Sequence, residues 1–358
     1  MCCINVLYDK LLIEVKLVMR INMDKWAQDI IDASEVKVLP ILFFPIVPLV
    51  NKGITEIVND SQSHFEVMKA VIERYPAMIG SMTGMDLTTE AETFGCQVKF
   101  TDTEAPSTEG EIVFDRASAE SLQVPNIQSG RAPVFTKAAA MASEYFNDRP
   151  VFGGVLGPFS LAAVLMGLPK AVKTLKKDPA ALHILLEKCT EYIISYAKAY
   201  KEAGANGILL AEPTAGLLSP AQCEEFSSRY VKILVETVQD QGFFVILHNC
   251  GRVIQMVDSM VGTGAKGYSF GNAVDMGDIL PQVPNNYLVF GNIDPSRMVN
   301  EKNPEVIKSE TRGLLEKMKP FKNFILSSGC DLPFATPLNN INAFFEALKE
   351  YNQENKNC

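Results

Sequence analysis

The sequence predicts an α/β chain folded as a (β/α)8 barrel. Eight short runs, at 41–47, 77–86, 151–159, 207–213, 243–250, 267–272, 287–294 and 324–330, are apolar on both faces, as buried parallel strands must be. Helical patterns separate most of them, which points to repeated βα units. The chain has 358 residues and 47% hydrophobic content, enough for one large core, and no linker-like segment interrupts it. A doubly wound open sheet is the alternative, because periodicity does not say whether a sheet closes.

Taken in order, residues 1–38 read as an N-terminal extension and helix, and 39–358 as one barrel domain. Apolar residues of the first segment are broken by Asp9, Lys10, Glu14, Lys16 and Arg20. No clean apolar centre precedes a small-residue cleavage site, so a secretory signal is not expected and the cytoplasm is. Met23-Asp24-Lys25-Trp26 is a more ordinary start, so nothing functional is assigned to Cys2 or Cys3. The run at 41–47 contains Pro45 and is taken as a strand leading into a turn. Region 90–124 departs from the barrel pattern. Phe94, Cys96, Val98 and Phe100 alternate and polar turn residues follow, which predicts an inserted β-hairpin or lid near the mouth.

Asp178-Pro179 is an N-cap followed by proline at the first helical position. The stripe after it is Leu182, Leu185, Leu186, Cys189, Ile193, Tyr196, Ala197 and Tyr200, and Gly204 can end the helix. Ser219-Pro220-Ala221-Gln222 is a capping box. Its helix is assigned the stripe Cys223, Phe226, Tyr230, Ile233, Leu234 and Thr237. Thr336-Pro337 opens the last helix, which buries Phe344, Phe345 and Leu348.

A net charge of -9 and the absence of any dense Lys/Arg block argue against a nucleic-acid partner. No apolar run is long enough to span a bilayer. Eight cysteines in a chain without an export signal point to metal binding or plain burial before disulfides.

The chemistry concentrates in two strings. Val245-Ile246-Leu247-His248-Asn249-Cys250-Gly251 is a buried strand running into His-x-Cys. Side chains two apart in a strand share a side, so His248 and Cys250 aim at one point. Phe324-Ile325-Leu326-Ser327-Ser328-Gly329-Cys330 places another cysteine at a strand end. Barrel strand ends build the active site at the C-terminal face, so Cys330 can converge on the first pair. One imidazole and two sulfurs make a soft site for Zn2+ with a fourth position open, as in a catalytic zinc. Two thiolates neutralise the ion, and a substrate thiol entering the open position would lose its proton yet stay nucleophilic. The bland reading of His-x-Cys alone is a buried histidine beside a buried cysteine.

These strings and two others resemble the uroporphyrinogen decarboxylase superfamily, and within it the branch of methylcobamide:coenzyme M methyltransferases. Gly157-Pro158-Phe159-Ser160-Leu161-Ala162 is similar to a Gly-Pro-Phe-Thr-Leu-Ala segment of the superfamily, and Gly291-Asn292-Ile293-Asp294 to a Gly-Asn-(Leu/Val)-Asp segment. Leu247-His248-Asn249-Cys250-Gly251, Gly329-Cys330-Asp331-Leu332-Pro333 and the string from Thr336 to Ile341 resemble the zinc motif of the branch. The likeness runs from about Leu39 to Leu348. It implies a zinc held by His248, Cys250 and Cys330, and a methyl group exchanged between a corrinoid on a separate protein and a thiol such as coenzyme M or homocysteine. No Asp-x-His-x-x-Gly string occurs, so the corrinoid is expected on a partner. Besides a non-catalytic zinc sensor or binding protein, two alternatives stay open. One is the reverse flow, from an O- or N-methylated donor to the corrinoid. The other is a uroporphyrinogen-type decarboxylase, disfavoured because the first-strand region carries no arginine.

Other residues carry weaker expectations. Glu212, at a strand end, is read as a fourth zinc ligand, a partner of His248, a base, or a mere cap. Asn292 and Asp294 are assigned to the catalytic machinery, against Asx-turn roles. Asn249 and Gly251 are assigned to cofactor binding, with Gly251 also letting the chain turn. Cys96, Cys189 and Cys223 are expected as buried small hydrophobes, and His64 and His183 as structural or surface groups. Phe43 and Phe159 are read as core, or as packing for a corrin ring. A homodimer is allowed.

Overall fold

The structure, a computed structural model, describes residues 21–356; Cys2 and Cys3, with the first twenty residues, lie outside the described part. The strands are β1 (Lys37–Val38), β2 (Ser81–Met82), β3 (Gln97–Lys99), β4 (Ser107–Glu109), β5 (Val151–Leu156), β6 (Gly207–Ala211), β7 (Phe244–Asn249), β8 (Gly267–Phe270), β9 (Leu288–Ile293) and β10 (Phe324–Ser328). Eight of them pair in parallel in the order β1-β10-β9-β8-β7-β6-β5-β2. The two edges meet through a parallel bridge between Val38 and Met78, where the Ile79 amide donates to the Val38 carbonyl at 3.1 Å. The sheet therefore curls into a (β/α)8 barrel, and the open-sheet alternative falls. Strands β6, β7 and β10 are buried along their whole length because the barrel core covers one face and helices cover the other.

The N-terminal end of the barrel is stopped by the Met23–Ile31 helix. Met23 is buried, its amide donates to the Gln241 carbonyl at 2.7 Å, and Trp26 packs edge-on against Phe244 near the start of β7. This leaves the opposite end for chemistry. There β3 and β4 form an antiparallel two-stranded ribbon, and Ala105 and Pro106 between them line the cavity at the barrel mouth.

The Asp178 cap and the stripe of the Pro179–Glu202 helix match the expectation, every named residue being buried. Two expectations require correction. The first strand is Lys37–Val38, upstream of 41–47, and Phe44–Val50 is a 3-10 helix. Pro45 and Pro48 lack the N–H groups a ladder needs, so the apolar run buries itself as a tight helix instead. In the helix after Ser219, Ile233 is 43% exposed, and Val231, Leu234, Val235 and Val238 are buried. A π-turn at Glu224–Ser228 takes up extra chain and advances the buried stripe by one position.

His64 is structural. It is fully buried and stacked on Phe43, and it accepts from the Gly84 amide at Nε2 (3.0 Å). Nε2 being an acceptor, Nδ1 carries the proton and donates to the Ile57 carbonyl at 3.0 Å. A second proton would find an N–H where it needs an acceptor, and burial pushes the imidazole down to about 4. The folded pKa lies below the unfolded one, so His64 contributes stability above about pH 6.5 that is lost as pH falls through 4. Wild type should therefore lose about 3 kcal/mol relative to His64→Gln between pH 7 and pH 4, read from urea midpoints. The comparison with the variant matters because burial raises Glu90 and Glu212 to about 7. Those two act with opposite sign, their stability present below about pH 4.5 and lost as pH rises through 7. A wild-type to variant gap that ignores pH would refute the assignment.

Candidate metal centre

Strand β7 delivers His248 as its penultimate residue and Cys250 one residue past its end. Cys330 follows β10 by two residues, on a turn clamped at both sides. The Gly329 amide donates to the Ile293 carbonyl at 2.7 Å, and the Leu332 amide donates to the Ile41 carbonyl at 3.1 Å. Below the turn, the Ile41 amide donates to Ser328 Oγ and the Ser327 hydroxyl to the Leu39 carbonyl. These bonds set the height at which Cys330 meets β7. One ligand atom from each of His248, Cys250 and Cys330 lies within 4.8 Å of the others. His248 and Cys250 from one strand end and Cys330 from another thus face one point at the C-terminal mouth.

The histidine is oriented by a residue the sequence reading missed. Ser269 on β8 is the register partner of His248, and its Oγ lies 2.9 Å from His248 Nδ1. That leaves Nε2, which is buried and has no hydrogen-bond partner. A buried polar atom without a partner costs free energy unless something fills the place, and an imidazole nitrogen beside two sulfurs is what a soft cation would bind. The serine is the usual kind of support that fixes a ligating ring. Its only sequence signal is a single serine in the apolar run of β8.

The two thiols are electrostatically unequal. A hydrogen bond from Cys330, then the neighbouring His248, pulls Cys250 down toward thiolate. The same contact pushes Cys330 up, with burial adding to it. The pair thus keeps one proton between two sulfurs, a proton that a cation would displace. The donor set fits zinc: soft sulfurs, one imidazole, and room for one more ligand.

The space around Cys250 is set by backbone. A Cβ on Gly271 would come within 2.4 Å of Cys250 Cα, so that turn must be glycine. Asn292 Nδ2 donates to the carbonyls of Gly271 (3.0 Å) and Val274 (2.8 Å), and the Gly271 amide donates to the Asn249 carbonyl. Asn292 therefore braces the turn that Cys250 leans on. Gly251 has no positive φ. A Cβ there would meet Gly216 Cα at 2.9 Å, so close approach, not turning, demands glycine. Asn249 is buried, donates from Nδ2 to the Glu212 carbonyl at 2.6 Å and accepts from the Gly251 amide at 2.8 Å.

Glu212 is placed as a cap. Its two oxygens accept from the Phe159 (3.1 Å) and Ser160 (2.6 Å) amides at the N-terminus of the Pro158–Met166 helix. That is a favourable place for a carboxylate, and Glu212 is not part of the three-residue cluster. Asp294 also caps, accepting from the Ser296 amide at 2.7 Å. Asp331, quoted in a motif but given no role, lines the cavity beside Cys330. Its Oδ1 is shut from solvent without a hydrogen-bond partner, and burial pushes its carboxyl well above the ordinary range.

Away from the mouth, Cys96, Cys189 and Cys223 are buried and belong to no cluster of three or more potential metal ligands among the described residues. His183 is partly exposed, stacks on Phe226 and bonds the Tyr230 hydroxyl at Nδ1. No helix among the described residues is long and apolar enough to cross a membrane.

The mouth leads into a cavity of about 190 Å3. A closed (β/α)8 barrel that gathers His, Cys and Cys around one point at its C-terminal face places the donor set of a candidate metal site where such barrels build their active sites. Comparison with known proteins places the chain more closely. The sequence profile of the uroporphyrinogen decarboxylase (URO-D) family matches residues 49–351, and the chain belongs to that family. It is 30% identical to "Methylcobamide:CoM methyltransferase MtbA" of Methanosarcina acetivorans over 270 residues, 74% of this chain and 78% of the relative. It is 26% identical to a uroporphyrinogen decarboxylase of Azotobacter vinelandii over 295 residues, 80% and 82% of the two chains. Among solved structures, a methyltransferase from Methanosarcina mazei superposes with a TM-score of 0.82 at 25% identity, covering 90% of this chain and 97% of that one. The fold and family expected from the sequence are both met.

Proposed function

We propose that this chain is a zinc-dependent methyltransferase that moves a methyl group between a corrinoid held by a separate protein and a small thiol. The observation that carries the reading is the convergence of His248, Cys250 and Cys330 with an unpartnered Nε2 between them. The methylcobamide methyltransferase named above supports it, being a relative matched over most of its length. Bound zinc would supply a Lewis acid that lets a thiol exist as a nucleophilic thiolate near neutral pH.

The chain's own residues do the rest. His248, fixed by Ser269, and the two cysteines would hold the ion at the mouth. Asn292 and Asn249 keep the Gly271 turn and the Cys250 backbone in place. Glu212 and Asp294 act as positioning residues through the helix starts they cap. The cavity beside the cluster has apolar walls and suits the body of a small thiol, while the corrin stays outside with its own protein. The decarboxylase alternative is weaker because no lysine or arginine lines this cavity to meet a polycarboxylate.

The test is methyl transfer from methylcobalamin to small thiols by the protein as purified, with its metal content measured beside it. Stoichiometric zinc and a thioether product that vanishes on chelation and returns with added zinc are expected. Turnover that is indifferent to zinc removal would overturn the metal role. Loss of carboxyl groups from a tetrapyrrole, with no thioether from any thiol, would favour the decarboxylase.

A further inference from the structure

Successive residues of β5 face opposite sides of the barrel wall. A Cβ on Gly153 would run into the Tyr200 ring of the Pro179–Glu202 helix, so Gly153 faces outward and Gly154 faces the barrel interior. A Cβ on Gly154 would collide with Met85 Sδ, so the thioether lies across the inner face of β5. Leu209 on β6 is the register partner of Gly154, and Ala211, two residues on, is the partner of His248 on β7. Met85, Leu209 and Ala211 all line the cavity. The candidate ligand His248 therefore stands in one layer, and Leu209 with the Met85 thioether in the next layer down, about 7 Å deeper.

Met85 is pinned on both sides. The Gly84 amide donates to His64 Nε2 at 3.0 Å, and Asp86 pairs with the Arg131 guanidinium. The backbone is thus fixed, while the unbranched side chain fills the interior left open by a glycine. A group reaching this depth meets hydrocarbon and a thioether, which reward an aliphatic tail by removing it from water.

We propose, on the footing of the methyl-transfer reading, that the thiol's tail points from the ligand layer to this floor, that the accepted tails are short and aliphatic, and that Met85 limits their length. Each methylene that still fits should raise kcat/KM about fourfold. The first that strikes Met85 should lower it by about tenfold or more.

The experiment offers ethanethiol, butanethiol and hexanethiol to the zinc-loaded enzyme with methylcobalamin. Calorimetric titration of the same protein with the corresponding methyl alkyl sulfides gives a readout independent of turnover. In the wild type hexanethiol should fall below butanethiol. Met85→Ala, which removes the thioether, should invert that order and raise hexanethiol relative to ethanethiol by about tenfold or more. Gly154→Ala drives the thioether inward and should lower butanethiol relative to ethanethiol by a similar factor. The ratios are the readout because a merely structural loss lowers all three thiols alike. A length preference that Met85→Ala leaves in place overturns the proposal. So does wild-type binding that keeps rising to the hexyl sulfide, or that is absent for all three sulfides. If no thiol is methylated while the sulfides rank as expected, the methyl-transfer reading fails and the floor assignment stands. Should Gly154→Ala not fold, Met85→Ala decides alone.

Discussion

Replacing Cys330 by alanine should cost the protein its zinc and lower methyl transfer by on the order of a thousandfold. The size follows from where the sulfur sits. Removing a mere support of a metal ligand typically costs about 10–100-fold in affinity or activity. Cys330 is proposed as a ligand itself, so the effect must exceed that range. Without the ion the two sulfurs share a proton, Cys250 drawn toward thiolate by Cys330 and His248. Alanine removes that hydrogen bond as well as a ligand atom, and Cys250 loses the largest of the influences that draw it toward thiolate. His248→Ala and Cys250→Ala should behave alike, because two remaining donors do not make a closed zinc site. Cys189→Ala is the control: that sulfur is fully buried in the helix layer, so its loss opens a small cavity and leaves zinc in place. Metal content after dialysis against a weak chelator decides the matter. A Cys330→Ala protein that retains zinc with wild-type affinity would sink the three-ligand site.

The sequence made this centre legible because both halves of it are local. A strand periodicity of two aims His248 and Cys250 together, and the end of an apolar run marks where each side chain emerges. What stayed hidden depends on tertiary neighbours. Ser269 orients His248 only because β7 and β8 pair in a register that sets the two side by side. Glu212 looked catalytic from its place at a strand end, but its carboxylate is used by amides some fifty residues earlier in the chain. No pattern within β6 could report them. The first strand was misplaced for a local reason: a buried 3-10 helix and a buried strand are both continuously apolar, and prolines decide between them. The slipped stripe after Ser219 has a different origin. A π-turn breaks the 3.6-residue count from inside the helix, with no residue type to announce it.

Arg131→Met should destabilise the fold by about 3–5 kcal/mol and impair the mouth while leaving the metal bound. The Arg131 guanidinium pairs with Asp86, whose side chain is fully buried, and reaches Glu92 at 2.6 Å and Thr88 Oγ1 at 2.8 Å. Its other face lies against the Phe100 ring, 4.8 Å from the centroid. Phe100 directly follows β3, and Asp86 stands between Met85 and Leu87, both part of the cavity wall. One side chain thereby ties the inserted hairpin to the loop after β2. Methionine would keep the volume but strand the Asp86 carboxylate without a counter-charge, and that desolvated anion is the source of the cost. The origin of the penalty can be isolated. Arg131→Met/Asp86→Asn removes both charges and keeps an oxygen for the Thr88 amide and hydroxyl, which Asp86 Oδ1 now accepts. The double variant should therefore recover most of the lost stability. It should not recover kcat/KM, since the hairpin's Ala105 and Pro106 no longer have their anchor while His248, Cys250 and Cys330 sit on other elements. Denaturant midpoints, zinc content and turnover measured on the same three proteins separate the charge effect from the loss of the tie. A single variant as stable and active as wild type would show that Arg131 holds nothing that matters to the mouth.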